Sequence, residues 1–188
     1  MRLGLFVAVL VGTAMSLAAG ASAAHRSEPV VLQQAPGAGQ STFVMYRSDK
    51  TVCTNWGGYT LFHVGANALS VRRGLLQFDV SSVPRWARIQ SATLSVYATE
   101  TLRGAGVVGV HRVTTPWAEG SGINTCTGDG ATWLTAGLGP AWLTPGGDFS
   151  GTGVASVTKQ AAIHPGGTAS TSPASSLAGS AAPIRTTA

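Results

Sequence analysis

Leu75-Leu76-Gln77-Phe78-Asp79-Val80 alternates apolar and polar positions, placing Leu76, Phe78 and Val80 on one face of a strand and Gln77 and Asp79 on the other. Ser81-Ser82-Val83-Pro84 ends the run, since proline has no N–H to give a ladder. The next strand is expected over Ile89 to Thr99, with Leu94, Val96 and Ala98 on one face and Thr93, Ser95 and Tyr97 on the other. Gly104-Ala105-Gly106 marks a turn, and Val107 to Val113 a further strand before Pro116. Upstream, Leu61-Phe62-His63-Val64-Gly65 and Thr42-Phe43-Val44-Met45-Tyr46 are strand-like. No window between 42 and 150 keeps the i, i+3, i+4 spacing of a long amphipathic helix. Short strands separated by turn residues predict an all-β fold, an antiparallel β-sandwich of jelly-roll type.

Outward from this region the composition changes at both ends. Arg2 precedes an apolar run from Leu3 to Leu17, and Ala21-Ser22-Ala23 has the small-x-small pattern of a cleavage site. Residues 1–23 are therefore expected to be an export signal cut after Ala23, leaving no membrane anchor and placing the mature chain outside the cytoplasm. The apolar run is too short, and too broken by Gly, Ala and Ser, to span a bilayer stably. Residues 24–42 form a lead-in rich in Ala, Gly, Gln, Ser and Pro. Residues 151–188 contain no Asp, Glu, Phe, Trp or Tyr. Such a segment buries too little apolar surface to offset its ordering entropy, so a disordered tail is expected there.

The chain is 44% hydrophobic and 10% charged, with a formal charge of +5. Its basic residues are scattered, only Arg72 and Arg73 being adjacent in the central part. Nucleic-acid binders concentrate their cations on one face or helix, so no nucleic-acid partner is expected. The charge favours anionic partners in general, an acidic polysaccharide among them. Cys53 and Cys126 are the only cysteines. In an oxidising compartment an even pair reads as a disulfide, the other reading being two separate thiols.

No catalytic constellation emerges. His25, His63, His111 and His164 lack metal-ligand spacing, and no nucleophile elbow accompanies them. Glu100 and Glu119 are acids of the kind a glycosidase pairs across one bond, but nothing in the sequence brings them together. A binding or structural role is expected rather than an enzymatic one. Trp56 and Tyr59, in the Gly-rich loop Asn55-Trp56-Gly57-Gly58-Tyr59, either form a platform on which sugar rings stack or pack over the end of the sheet. Trp117 and Trp133 are expected to plug the sandwich. Arg72 and Arg73 either pair with the carboxylates of an acidic sugar, or protect a strand edge or sit on a solvated turn. Asp129 and Asp148 are the carboxylates to consider for a structural Ca²⁺, against the reading that each caps a turn beside glycine. No other cofactor is implied.

One ordered set of short motifs resembles a known family. Arg73-Gly74-Leu75-Leu76-Gln77-Phe78-Asp79-Val80-Ser81-Ser82-Val83-Pro84 is followed by Ile89-Gln90-Ser91-Ala92-Thr93-Leu94-Ser95-Val96-Tyr97 and by His111-Arg112-Val113. Thr115-Pro116-Trp117-Ala118-Glu119-Gly120, Ala131-Thr132-Trp133 and Trp142-Leu143-Thr144-Pro145-Gly146-Gly147-Asp148-Phe149 come next. Over residues 43–150 this order resembles the DNRLRE-domain proteins, a carbohydrate-binding module family with disaggregatase-related and alginate-associated members. The resemblance implies a secreted, non-catalytic jelly-roll module that binds a polysaccharide, acidic polymers being one ligand type; separately, a monomer is expected. The family domain continues into a closing apolar strand that residues 151–188 do not show. An incomplete sandwich with an unpaired edge is expected. The alternatives are a structural or adhesive extracellular β-domain without a small ligand, and a truncated remnant of a larger secreted protein.

Overall fold

A computed structural model describes residues 3–14, 28–33, 39–49, 52–98, 106–137, 139–159 and 168–170. Every helix or strand element among them is a strand, and every strand pairing is antiparallel, as the sequence predicts. In chain order the strands are β1 (Leu3–Ala14), β2 (Glu28–Gln33), β3 (Gly39–Arg47), β4 (Leu61–Phe62), β5 (Gly65–Asn67), β6 (Ser70–Phe78), β7 (Arg88–Ala98), β8 (Gly106–Val113), β9 (Phe149–Lys159) and β10 (Thr168–Ser170). They form a sheet ordered β10-β7-β1-β2, with β4 also on β1, a sheet ordered β3-β6-β5, and a β8-β9 ribbon. No helix among the described residues is long and apolar enough to cross a membrane.

The β3-β6-β5 sheet lies at the centre of the packing. Its register sets Phe43 opposite Gly74 and Met45 opposite Arg72, while Thr42 faces Leu75 and Val44 faces Arg73. Because side chains alternate across a strand, this makes two apolar surfaces. On one, Phe43 and Met45 pack with Phe62 of β4, joined by Leu76 and by Val96 of β7. That core lies between the two larger sheets. On the other, Val44 and Leu75 pack with Ala131, Ala136 and Trp142 of the long segment after β8, with Val113, Trp117 and Trp133 around them. Thr42 to Met45 are accordingly buried without alternation, the signature of a strand covered on both faces.

Gly74 is required by this packing. A Cβ there would lie 2.6 Å from a ring carbon of Phe62, so only a bare backbone lets the Phe62 ring settle on β6.

The structure adjusts several expected boundaries. β6 ends at Phe78, and Val80 is exposed rather than sharing its face. Leu75, not assigned to the apolar face by alternation, is among the most buried residues because the segment after β8 covers that side. Strand β9 carries order past residue 150, correcting the expected tail over 151–159. Its backbone pairs with β8 from Gly106↔Lys159 to Val113↔Phe149, and ladder hydrogen bonds need no large side chains. Residues 160–167 and 171–188 lie outside the described residues, as does the expected cleavage point after Ala23. Strands β2 and the start of β3 fall within the expected lead-in, and β1 within the expected export signal.

Candidate functional site

Two loops and a disulfide come together around Asn55. Cys53 and Cys126 are joined, with Cα atoms 5.2 Å apart. Beside them Asn55, 0% exposed, satisfies its amide completely. Its Nδ2 donates to the carbonyl oxygens of Glu119 at 2.8 Å and Ala131 at 3.0 Å. Its Oδ1 accepts from the N–H groups of Gly57 at 3.1 Å and Gly122 at 2.7 Å. The Asn55 backbone also pairs with Thr125. One side chain thus ties the loop around residue 55 to the segment 119–131. No sequence motif marks it; its place beside Cys53 in a Gly-rich loop was the available signal.

Trp56 and Tyr59 extend from this junction onto the first core. Trp56 stacks on Phe43 with ring centroids 4.8 Å apart, and Tyr59 meets Trp56 edge-on at 5.7 Å. Both pack against Phe43, Met45 and Phe62, so their rings serve the core on the packing side of the two readings. Glu119, the described member of the pair considered for glycoside chemistry, accepts the Ser41 N–H at 2.8 Å on its Oε1. Glu100 lies outside the described residues.

The two aspartates are held by separate loops. Asp129 accepts the Ser121 N–H and hydroxyl at 2.9 and 2.7 Å, together with the Thr127 hydroxyl. Asp148 accepts the N–H groups of Leu143 at 3.1 Å and Thr144 at 3.0 Å, and the Thr115 hydroxyl at 2.9 Å. Burial pushes the Asp148 carboxyl up, but these donors outweigh it and hold the group below the usual carboxylate value. This is the geometry of turn capping, and no group of three metal-ligating side chains occurs among the described residues.

Arg72 and Arg73 border a cleft of about 310 Å³. Strand β5 covers the edge of β6 only at Ser70 to Arg72, so from Arg73 onward β6 pairs with β3 alone among the described residues. Facing that open edge are β8 and the start of β9, with Val108, His111, Asp148 and Phe149 in the lining. The two arginines are not a side-by-side pair. Arg72 lies on Met45's face of the sheet and Arg73 on Val44's, as strand alternation requires.

Arg73 is the organised one. Its Nη1 donates to the Gly146 carbonyl at 2.9 Å. Its guanidinium carbon lies 5.0 Å from the Trp133 ring centroid and 5.1 Å from that of Phe149. Gly146 has φ +93°, and a Cβ there would lie 2.6 Å from Arg73 and 2.7 Å from the Trp133 ring, so glycine is needed to close this corner. Partial burial lowers the Arg73 pKa from its ordinary value, yet a guanidinium stays charged at neutral pH. Among the described residues no carboxylate forms an ion pair with Arg73. His111 adds an edge-to-face contact with Phe149 at 5.2 Å and places Nδ1 2.9 Å from the Ser150 carbonyl.

The cleft therefore offers a fixed planar cation with donors to spare, set beside two aromatic rings. Its chemistry suits an anionic or hydroxyl-rich ligand with an apolar face. No protein-family model, no curated protein and no solved structure matches the chain.

Proposed function

We propose that this chain is an exported, non-catalytic polysaccharide-binding module of the DNRLRE type, a monomeric jelly-roll variant whose cleft takes a sugar chain bearing carboxylates. The observation that carries this reading is Arg73, fixed between Trp133 and Phe149 at the edge of a cleft with no ion-pairing carboxylate among the described residues. A surface arginine held only for solubility needs neither two rings nor a glycine-shaped carbonyl to orient it. The leader-like residues 1–23 and the Cys53–Cys126 disulfide support an extracellular setting. Glu119 and Asp148 each accept hydrogen bonds from donors of their own fold, in keeping with a structural use of these carboxylates.

Affinity electrophoresis through gels containing alginate, pectin or a neutral glucan tests the proposal. The acidic polymers are expected to retard the protein and the neutral glucan to do so less. Retardation by none of them contradicts the proposal and favours the structural or adhesive alternative.

A further inference from the structure

Residues 3–14 answer two incompatible demands. As an export signal, the run from Leu3 to Leu17 has to be free to leave the domain. In the folded chain, Leu3–Ala14 is β1, an interior strand of the larger sheet. On one side it pairs with β2 from Ala8↔Gln33 to Thr13↔Glu28. On the other it pairs with β7 from Leu3↔Ala98 to Ala14↔Arg88, with register shifts after Gly4 and Gly12. Its first residues also pair with β4, at Leu3↔Phe62 and Gly4↔Leu61. Phe62 is the residue that Gly74 admits onto β6 in the first core, so β1 supports a contact well beyond its own sheet.

Removing β1 leaves β2 and β7 facing one another across the width of one strand, each with a row of unpaired N–H and C=O groups. Strand edges spaced in this way are a template for an extended chain. The other edge of β7 is met by β10 only along Tyr97 to Ser95; what sets the vacancy apart is that two strand edges face one another across it, with a register that β1 defines on both.

We propose that the leader is a strand donor: residues 3–14 occupy an acceptor slot between β2 and β7, and the domain retains affinity for that segment after the chain is cut behind it. The slot's ligand is an uncharged, extended strand rich in valine and leucine, as Leu3–Ala14 is. The leader is favoured over a second copy because the structure seats it there, antiparallel to β2 over Ala8–Thr13 and to β7 at Leu3, Gly4 and Ala8–Ala14. The inference is independent of what the arginine cleft binds.

The test uses the full chain, made in a membrane-free translation system so that the leader is retained, with a specific protease site in place of residues 18–23. After folding, the site is cut and the product passed over a sizing column. The leader fragment is expected to co-elute with the domain, and its amides over 3–14 to exchange at least about 100-fold more slowly than in the free peptide. A labelled peptide of residues 3–14 with a solubilising lysine tag is expected to exchange into the nicked protein. The same peptide carrying Val9→Pro and Val11→Pro is expected not to, since proline cannot serve an interior strand. Immediate separation of the fragment, or equal uptake of both peptides, overturns the proposal. Dimerisation of the nicked protein with expulsion of the fragment also overturns it, by giving the slot to a second copy.

Discussion

Arg73 and Trp133 are joined at 5.0 Å from guanidinium carbon to ring centroid, with the Arg73 Nη1 anchored on Gly146 next to the same ring. The pair makes a cation whose plane is set before any ligand arrives. Arg73→Met keeps a long apolar side chain against the rings and removes only the charge and donors. It is expected to abolish retardation by acidic polysaccharide while lowering stability by about 1 kcal/mol, the scale of a partly buried cation–π contact. Affinity electrophoresis and thermal unfolding measure the two effects separately.

Asn55 is expected to be the most sensitive single position in the loops that it joins. Asn55→Ala leaves the N–H groups of Gly57 and Gly122 and the carbonyls of Glu119 and Ala131 without their side-chain partner. Leaving buried backbone groups unpaired costs about 3 kcal/mol in all, read as a lowered midpoint in urea unfolding. Asn55→Asp keeps the acceptor but loses both donors, and is expected to be destabilising as well.

Gly74→Ala tests the close approach of Phe62 to β6. The added methyl has to displace a ring packed on Phe43 and Met45, so a loss of about 1–3 kcal/mol is expected. The double variant Gly74→Ala with Phe62→Leu is expected to recover part of that loss, which a double-mutant cycle measures.

Acid is expected to weaken the fold through its aspartates. Asp148 is held below its ordinary value of 3.8 because the Leu143, Thr144 and Thr115 donors outweigh the burial that raises it. Asp79 and Asp129 are also lowered, first by the Ser81 N–H and by the Thr127 hydroxyl respectively. A group whose folded pKa is depressed contributes stability that is complete above its unfolded pKa and is lost as pH falls through the folded one. Thermal midpoints should therefore be flat in this respect down to about pH 5 and decline below about pH 4. Asp148→Asn should flatten part of the decline.

The alternation in Leu75 to Val80 and Ile89 to Thr99 was enough to show an antiparallel all-β chain, and the two cysteines pair as their number suggested. The two-sided burial of β3 was not legible, because its cover comes from Ala131, Ala136 and Trp142, far along the chain and in no regular element. Strand β9 was hidden by composition. Gly151, Thr152 and Gly153 carry no apolar signal, and the backbone from Gly151 to Ser156 is ordered by the partner strand rather than by its side chains. The arginine cleft was half legible. Adjacency singled out Arg72 and Arg73, but strand alternation separates them, and the rings that orient Arg73 come from positions 133 and 149. For Trp56 and Tyr59 the sequence left a platform and a packing role open, because the Phe43 ring they meet lies in a strand outside their own loop.

Occupancy of the Arg73 cleft by an acidic sugar is open to an NMR titration of the ¹⁵N-labelled protein with a short uronic-acid oligosaccharide. Shifts are predicted at the amides of Arg73, Gly146, Gly147 and Phe149 and at the Arg73 side chain, and should vanish in Arg73→Met. Shifts confined to Trp56, Gly58 and Tyr59, or no shifts at all, would contradict it.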